Sequence, residues 1–135
     1  MNKRQAQRLL KVARALRESP APEAFNMDKY IWCGTPACAL GHYGSRPDLQ
    51  RVMVVRKDGF GKPDLFYRHG IDLVDYWDYQ ILDHFGTSRA EAEDLFGSHG
   101  CGGAKTTIEA AQYIEDFVRR KYDRWRYFTD LKIGR

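Results

Sequence analysis

Three cysteines, five prolines and no long apolar run set the first limits on this chain. An odd number of cysteines does not make a disulfide framework, so we expect a reducing compartment with thiols free or bound to metal. No apolar run approaches the ~20 residues that a bilayer-spanning helix needs. The first residues are charged and have no apolar core, so we expect no signal peptide and a cytoplasmic protein without membrane contact. Repeats and low-complexity segments are absent. What is there is 43% hydrophobic over 135 residues, enough for one domain spanning 1–135 with a real core.

The net charge of +4 conceals a segregation. Residues 1–18 hold six Lys/Arg and one Glu, and residues 119–135 hold seven Lys/Arg and two Asp. The middle holds nine cations against fifteen carboxylates. Basic ends and an acidic centre can pair with one another or present faces of opposite sign to partners.

Apolar spacing predicts a helix over 2–18, with Ala6, Leu9, Val12, Ala13 and Leu16 on one stripe and Arg4, Arg8, Lys11 and Arg14 on a second, basic one. Pro20 and Pro22 end it. Phe25, Met27, Tyr30, Ile31 and Trp32 read as an ordered connection that plugs the core. The stretch Cys33–His42 reads as a short buried helical turn at 36–43, with Thr35 as its cap and Pro36 in its first position. That register puts Cys38 and His42 on one helical face. Residues 51–57 and 65–68, either side of a loop rich in turn residues, predict a β-hairpin.

Helical periodicity returns over 72–85 and Gly86 stops it. Ser88 with Glu91 opens the next helix as a capping box, and Thr106 with Glu109 opens the last. Ile108, Ala111, Ile114, Val118 and Trp125 are assigned to the inner face of that last helix. Seven carboxylates and one arginine between 72 and 94, Asp72, Asp75, Asp78 and Asp83 among them, make an acidic outer face. The expected fold is thus α+β: a mainly helical single domain with four main helices, a short buried turn and one β-hairpin.

Phe25-Asn26-Met27 followed by Cys33-Gly34-Thr35-Pro36-Ala37-Cys38-Ala39-Leu40-Gly41-His42 resembles a motif of small uncharacterised proteins of phages and bacteria. Phe85-Gly86-Thr87-Ser88, leading into Glu91-Ala92 and Leu95-Phe96, resembles their second shared segment, with Thr87 where that group usually has Leu. The resemblance covers about a quarter of the chain. It implies a phage or mobile-element setting and a mainly helical fold, and it carries over no catalytic residue.

Four patterns invite chemistry. Cys33, Cys38, His42 and Cys101 would make a three-thiolate, one-imidazole set suited to zinc, with His99 as an alternative nitrogen ligand. Against it, the second half of the chain offers a single cysteine, and buried free cysteine is commonly a small apolar group. A cysteine nucleophile at Cys101 or Cys33 would draw on the helix start that follows each, but neither sits in a thiol-enzyme signature. The glycine-rich stretch 97–106 resembles a phosphate loop only loosely, since Ala104 precedes Lys105 and His99 stands at the first glycine position. Arg119 and Arg120, with Arg124-Trp125-Arg126-Tyr127-Phe128, could stack on bases, enter a protein groove or pin the tail to the body. The expected function is therefore non-enzymatic binding of a macromolecule, foremost a host or phage protein such as a defence complex, through the charged outer faces. The alternatives are a zinc-binding structural protein, a nucleic-acid binder using the basic termini, and a cysteine-dependent enzyme.

Overall fold

In the computed structural model, residues 1–26, 38–46, 81–97 and 99–122 are described with their side chains, and 31–32, 35–36, 53–57, 63–67 and 79–80 as backbone alone. Two long helices frame the described body. Helix α1 (Lys3–Arg17) starts at a reciprocal cap: Asn2 Oδ1 accepts the Gln5 N–H, and Gln5 Oε1 accepts the Asn2 N–H, both at 2.9 Å. Its apolar stripe buries Ala6, Leu9, Val12, Ala13 and Leu16, as its spacing predicts. Five further α-helical elements follow among the described residues: α2 (Ala39–Gly44), α3 (Tyr79–Phe85), α4 (Arg89–Phe96), the single distorted turn α5 (Gly100–Gly103) and α6 (Thr107–Lys121).

Helix α1 packs along α6, and α2 and α3 lie against α1. The α5 turn bridges α4 and α6. Leu9, Leu16, Leu40, Ile81, Leu95 and Ile114 are fully buried between them, each worth about 1.5–3 kcal/mol of transfer energy. Phe85 lies at the centre of an aromatic cluster, 5.7 Å from Tyr43, 4.8 Å from His84 and 5.1 Å from Phe96 between ring centroids. Glu115, 1% exposed, is ion-paired across the α1–α6 seam by Arg17, whose Nη2 and Nε reach its two carboxylate oxygens at 2.6 and 2.9 Å. That fork neutralises a carboxylate which an apolar seam would otherwise expel.

The α+β class is corrected by this arrangement. The residues described with their side chains are 74% helical, with no strand among them. Every apolar residue of their core lies on a helix or a helix cap. An α+β fold needs a sheet as a packed layer. Backbone ladders pair Ile31–Trp32 with Thr35–Pro36 and Met53–Lys57 with Pro63–Tyr67, and neither is a layer of the described core. The fold is mainly helical, and the β-hairpin expected as part of an α+β body is not an element of that body. Two-stranded ribbons are too thin to organise a core, whereas α1 and α6 close one between themselves.

The start of the short turn also differs. Cys38, not Thr35, is the N-cap of α2: its backbone is extended at φ −84°, ψ 173°, and its Sγ accepts the Gly41 N–H at 3.3 Å. The backbone at Thr35–Pro36 is a short strand. The Ser88–Glu91 capping box forms in full. At α6 only half of the expected box forms, since Thr106 Oγ1 accepts the Glu109 N–H while Glu109 turns to the N–H of Lys105.

Candidate functional site

The Cys38–His42 turn is a packing hub. Residues 39–44 are buried without exception. Because α2 starts after Cys38, the thiol caps the helix instead of sharing a face with His42. The His42 Nδ1–H donates to the Cys38 carbonyl at 2.9 Å, which leaves Nε2 to accept from the Ser19 hydroxyl at 3.1 Å. Burial lowers the pKa of His42, opposed by its bond to the Cys38 carbonyl, and pushes the Cys38 thiol up to about 12. Next to it the Tyr43 hydroxyl and His84 Nε2 share a 3.0 Å hydrogen bond. His84 is held down to about 3, first by burial and then by the Arg8 and Lys11 charges.

Of the candidate zinc ligands, Cys33 lies outside the described residues. Cys101 sits in α5, where its thiol donates to the Leu95 carbonyl at 3.3 Å. Burial first, then the Asp94 carboxylate and Cys38, raise it to about 12. His99 is exposed. Among the described residues no group of three or more His, Cys, Asp or Glu side chains comes together as a metal site. Cys38, His42 and Cys101 are instead tied to protein partners, and both thiols are held protonated, unsuited as they stand to nucleophilic work.

The basic stripe of α1 divides. Arg4 is exposed, Arg8 turns inward so that its Nη1 donates to the His84 carbonyl at 2.9 Å, and Arg14 pairs with Glu18 at 2.9 Å. Glu18 also takes Arg46 at 2.8 Å. Lys11 is half-buried and its charge reaches His84. Asp83 is exposed, and its carbonyl accepts the Gln5 amide at 2.8 Å. Arg120 is exposed on α6, and Arg119 Nη1 stands 3.7 Å from Asp116. Asp72, Asp75, Asp78, Arg124, Trp125 and Arg126 lie outside the described residues.

A shallow, open cleft of about 500 Å³ lies where α5 meets the outer side of α6. Its rim is the 101–104 backbone and its wall is Ile108, Glu109, Gln112, Tyr113 and Asp116. Cys101, Gly102 and Gly103 run left-handed at φ 55°, 64° and 75°. Cys101 is the non-glycine exception among the described residues, in a region that costs an L side chain about 1–2 kcal/mol. A Cβ at Gly102 would come within 2.7 Å of the Tyr113 ring. The Tyr113 hydroxyl donates to Asp94 at 2.7 Å, and the Gln112 amide donates to Asp116 at 3.0 Å.

Ile108 corrects the inner-face assignment: at 43% exposed, it is the large hydrophobic that the described surface leaves open. Ile108 and Glu115 are seven apart, so they share one line along the helix. On that line the carboxylate is buried and the isoleucine is not, because Arg17 reaches Glu115 from α1. The shared line was visible in the sequence; the reach of Arg17 was not. Compared with protein-family models, curated proteins and solved structures, the chain matches none.

Proposed function

We propose that the protein is a binding protein that engages a macromolecular partner, a protein with an acidic face, through charged outer surfaces. One observation carries this reading. The first turn of α1 contains no acidic residue, and Lys3 and Arg4 are exposed there. Cations at a helix N-terminus oppose its dipole and cost about 0.3–1 kcal/mol each. Residues that break a local rule without a compensating contact are commonly there for function. From 3 to 17 the helix carries no carboxylate at all. The resemblance noted above makes a host protein or a defence complex the partner to seek, in a phage or mobile-element setting.

The test is the paired variant Lys3→Glu with Arg4→Glu. Tagged protein from nuclease-treated native extract is compared with the variant, and the co-purifying partner is identified. The variant is expected to unfold at the same or a slightly higher temperature, since carboxylates suit that turn, and to lose the partner. A variant that keeps its partner in full overturns the reading. The same carboxylate-free helix favours nucleic acid as the second reading. That reading expects DNA or RNA binding that falls steeply with salt, by a log–log slope of about −0.9 per phosphate contacted on duplex DNA.

A further inference from the structure

We infer that the cleft between α5 and α6 is a docking site for a positively charged protein segment with an apolar anchor side chain. The inference shares with the reading above only the premise that the ligand is protein; its surface and its observations are different. Ile108 leaves apolar area open to solvent, at 43% exposure. The lining carries two carboxylates, Glu109 and Asp116, and no cation. Asp94 adds a third negative charge behind Tyr113, where it raises the Tyr113 hydroxyl pKa through their hydrogen bond. Two cations stand nearby outside the lining: Arg119 is ion-paired with Asp116 at 3.7 Å, and the Arg120 charge reaches Tyr113. The lining itself thus carries carboxylates beside an open isoleucine, with both cations outside it, a pattern complementary to lysine or arginine flanking a leucine, isoleucine or valine.

The walls are already fixed. Tyr113 is tied to Asp94 and Gln112 to both Asp116 and Arg17. The rim is set by the left-handed run at 101–103, locked by the Cys101 thiol on the Leu95 carbonyl. A site whose side chains are ordered before binding loses less entropy when it is filled. Non-glycine strain of the Cys101 kind is costly to keep and concentrates at ligand clamps. A volume near 500 Å³ suits a few side chains, not a whole helix.

The probe is a capped glycine-serine peptide with a central leucine flanked by lysines, titrated into the full chain and followed by backbone amide shifts. Two control peptides replace the leucine by serine or the lysines by glutamates. Saturable shifts confined to 101–104 and 108–116 are expected, weakened about tenfold by Ile108→Asp and about three- to tenfold by Glu109→Lys or Asp116→Lys. Both control peptides should bind correspondingly worse, and added salt should weaken the lysine peptide. The three positions are on the surface, and an unchanged melting temperature verifies each variant; should Ile108→Asp unfold, the two charge reversals decide. Absence of saturable shifts, shifts centred on α1, or equal binding of the glutamate peptide overturns the inference. Loss of peptide binding with partner capture through Lys3 and Arg4 intact removes only the cleft. Loss of that capture with peptide binding intact removes only the α1 face.

Discussion

Two turns in this molecule each bury a cysteine, and they use it in opposite ways. In α2 every residue from Ala39 to Gly44 is enclosed, and the Cys38 sulfur accepts a backbone N–H to begin a helix. In α5 only Gly100 and Cys101 are buried; Gly102 and Gly103 stand exposed at the cleft rim. There the sulfur donates, and it holds a left-handed backbone in place. Burial of a thiol therefore says nothing by itself about whether its turn packs or presents. The backbone decides: an extended cap leads the chain inward, and a left-handed run turns it outward beside an open wall.

The comparison breaks most readily at Tyr43. If α2 is the packing hub, Tyr43→Ala removes a fully buried ring, its edge contact with Phe85 and its bond to His84. The expected loss is about 3–5 kcal/mol, read as a lower urea midpoint at constant slope. Ile108→Ala, at the cleft, should stay within about 0.5 kcal/mol. A loss below about 1 kcal/mol at Tyr43 would mean that the hub bears little load.

The next effect is on pH. His84 and His42 are held neutral in the folded protein, His84 down to about 3. The unfolded chain binds protons on them near pH ~6.5. Their contribution is thus full above ~6.5 and is lost as pH falls toward the folded values, by at most about 1.4 kcal/mol per pH unit for each histidine. Glu18, held below the carboxylate range by its bonds from Arg14 and Arg46, adds losses only at lower pH. The thiols have the opposite sign. Raised to about 12 in the fold, Cys38 and Cys101 contribute fully below their unfolded value, ~8.5, and lose that contribution as pH rises above it. Urea midpoints should form a plateau between about pH 6.5 and 8.5. His84→Gln should make the acid limb shallower, leaving the part that His42 contributes, and leave the alkaline limb, which both turns share.

The helices that frame the hub were legible in the sequence, and the cleft was not. Helices α1, α4 and α6 follow from apolar spacing and from Ser88 and Thr106, because caps and stripes are local facts. The Asn2–Gln5 cap is equally local, one residue after the start. The register of α2 is not legible because Thr35-Pro36 is a strong helix opening, yet its backbone is a strand and the extended cap is Cys38. The inward turn of Arg8 and the fork of Arg17 on Glu115 join residues 76 and 98 apart in sequence. No local pattern encodes such pairs, so a stripe that looks wholly solvated gives part of its charge to the interior. The cleft depends on the same kind of long-range fact.

A third test concerns the rim. Gly102→Ala places a side chain at φ +64° and drives its Cβ toward the Tyr113 ring. Strain at such positions costs about 1–3 kcal/mol. The variant should lose that much stability and also disturb the Tyr113–Asp94 bond, visible as a fall in the tyrosine pKa that this bond holds raised. Stability loss without a tyrosine change would separate the turn from the wall.

The smallest effect is the sharpest discriminator between the two turns. Cys101→Gly gives up a buried sulfur, its bond to Leu95 and some unfolded-state restriction. It also relieves an L residue at φ 55°, a relief of about 1–2 kcal/mol. The two sides nearly cancel, so the net change should be under about 1 kcal/mol. Cys38→Gly has no such offset, because the Cys38 backbone is extended and unstrained. It loses the N-cap acceptor and the buried sulfur, and should cost about 1–2 kcal/mol more than the substitution at Cys101. Equal losses at the two sites would show that the left-handed geometry of Cys101 stores no strain, and the cleft rim would then be ordinary backbone with no claim on function.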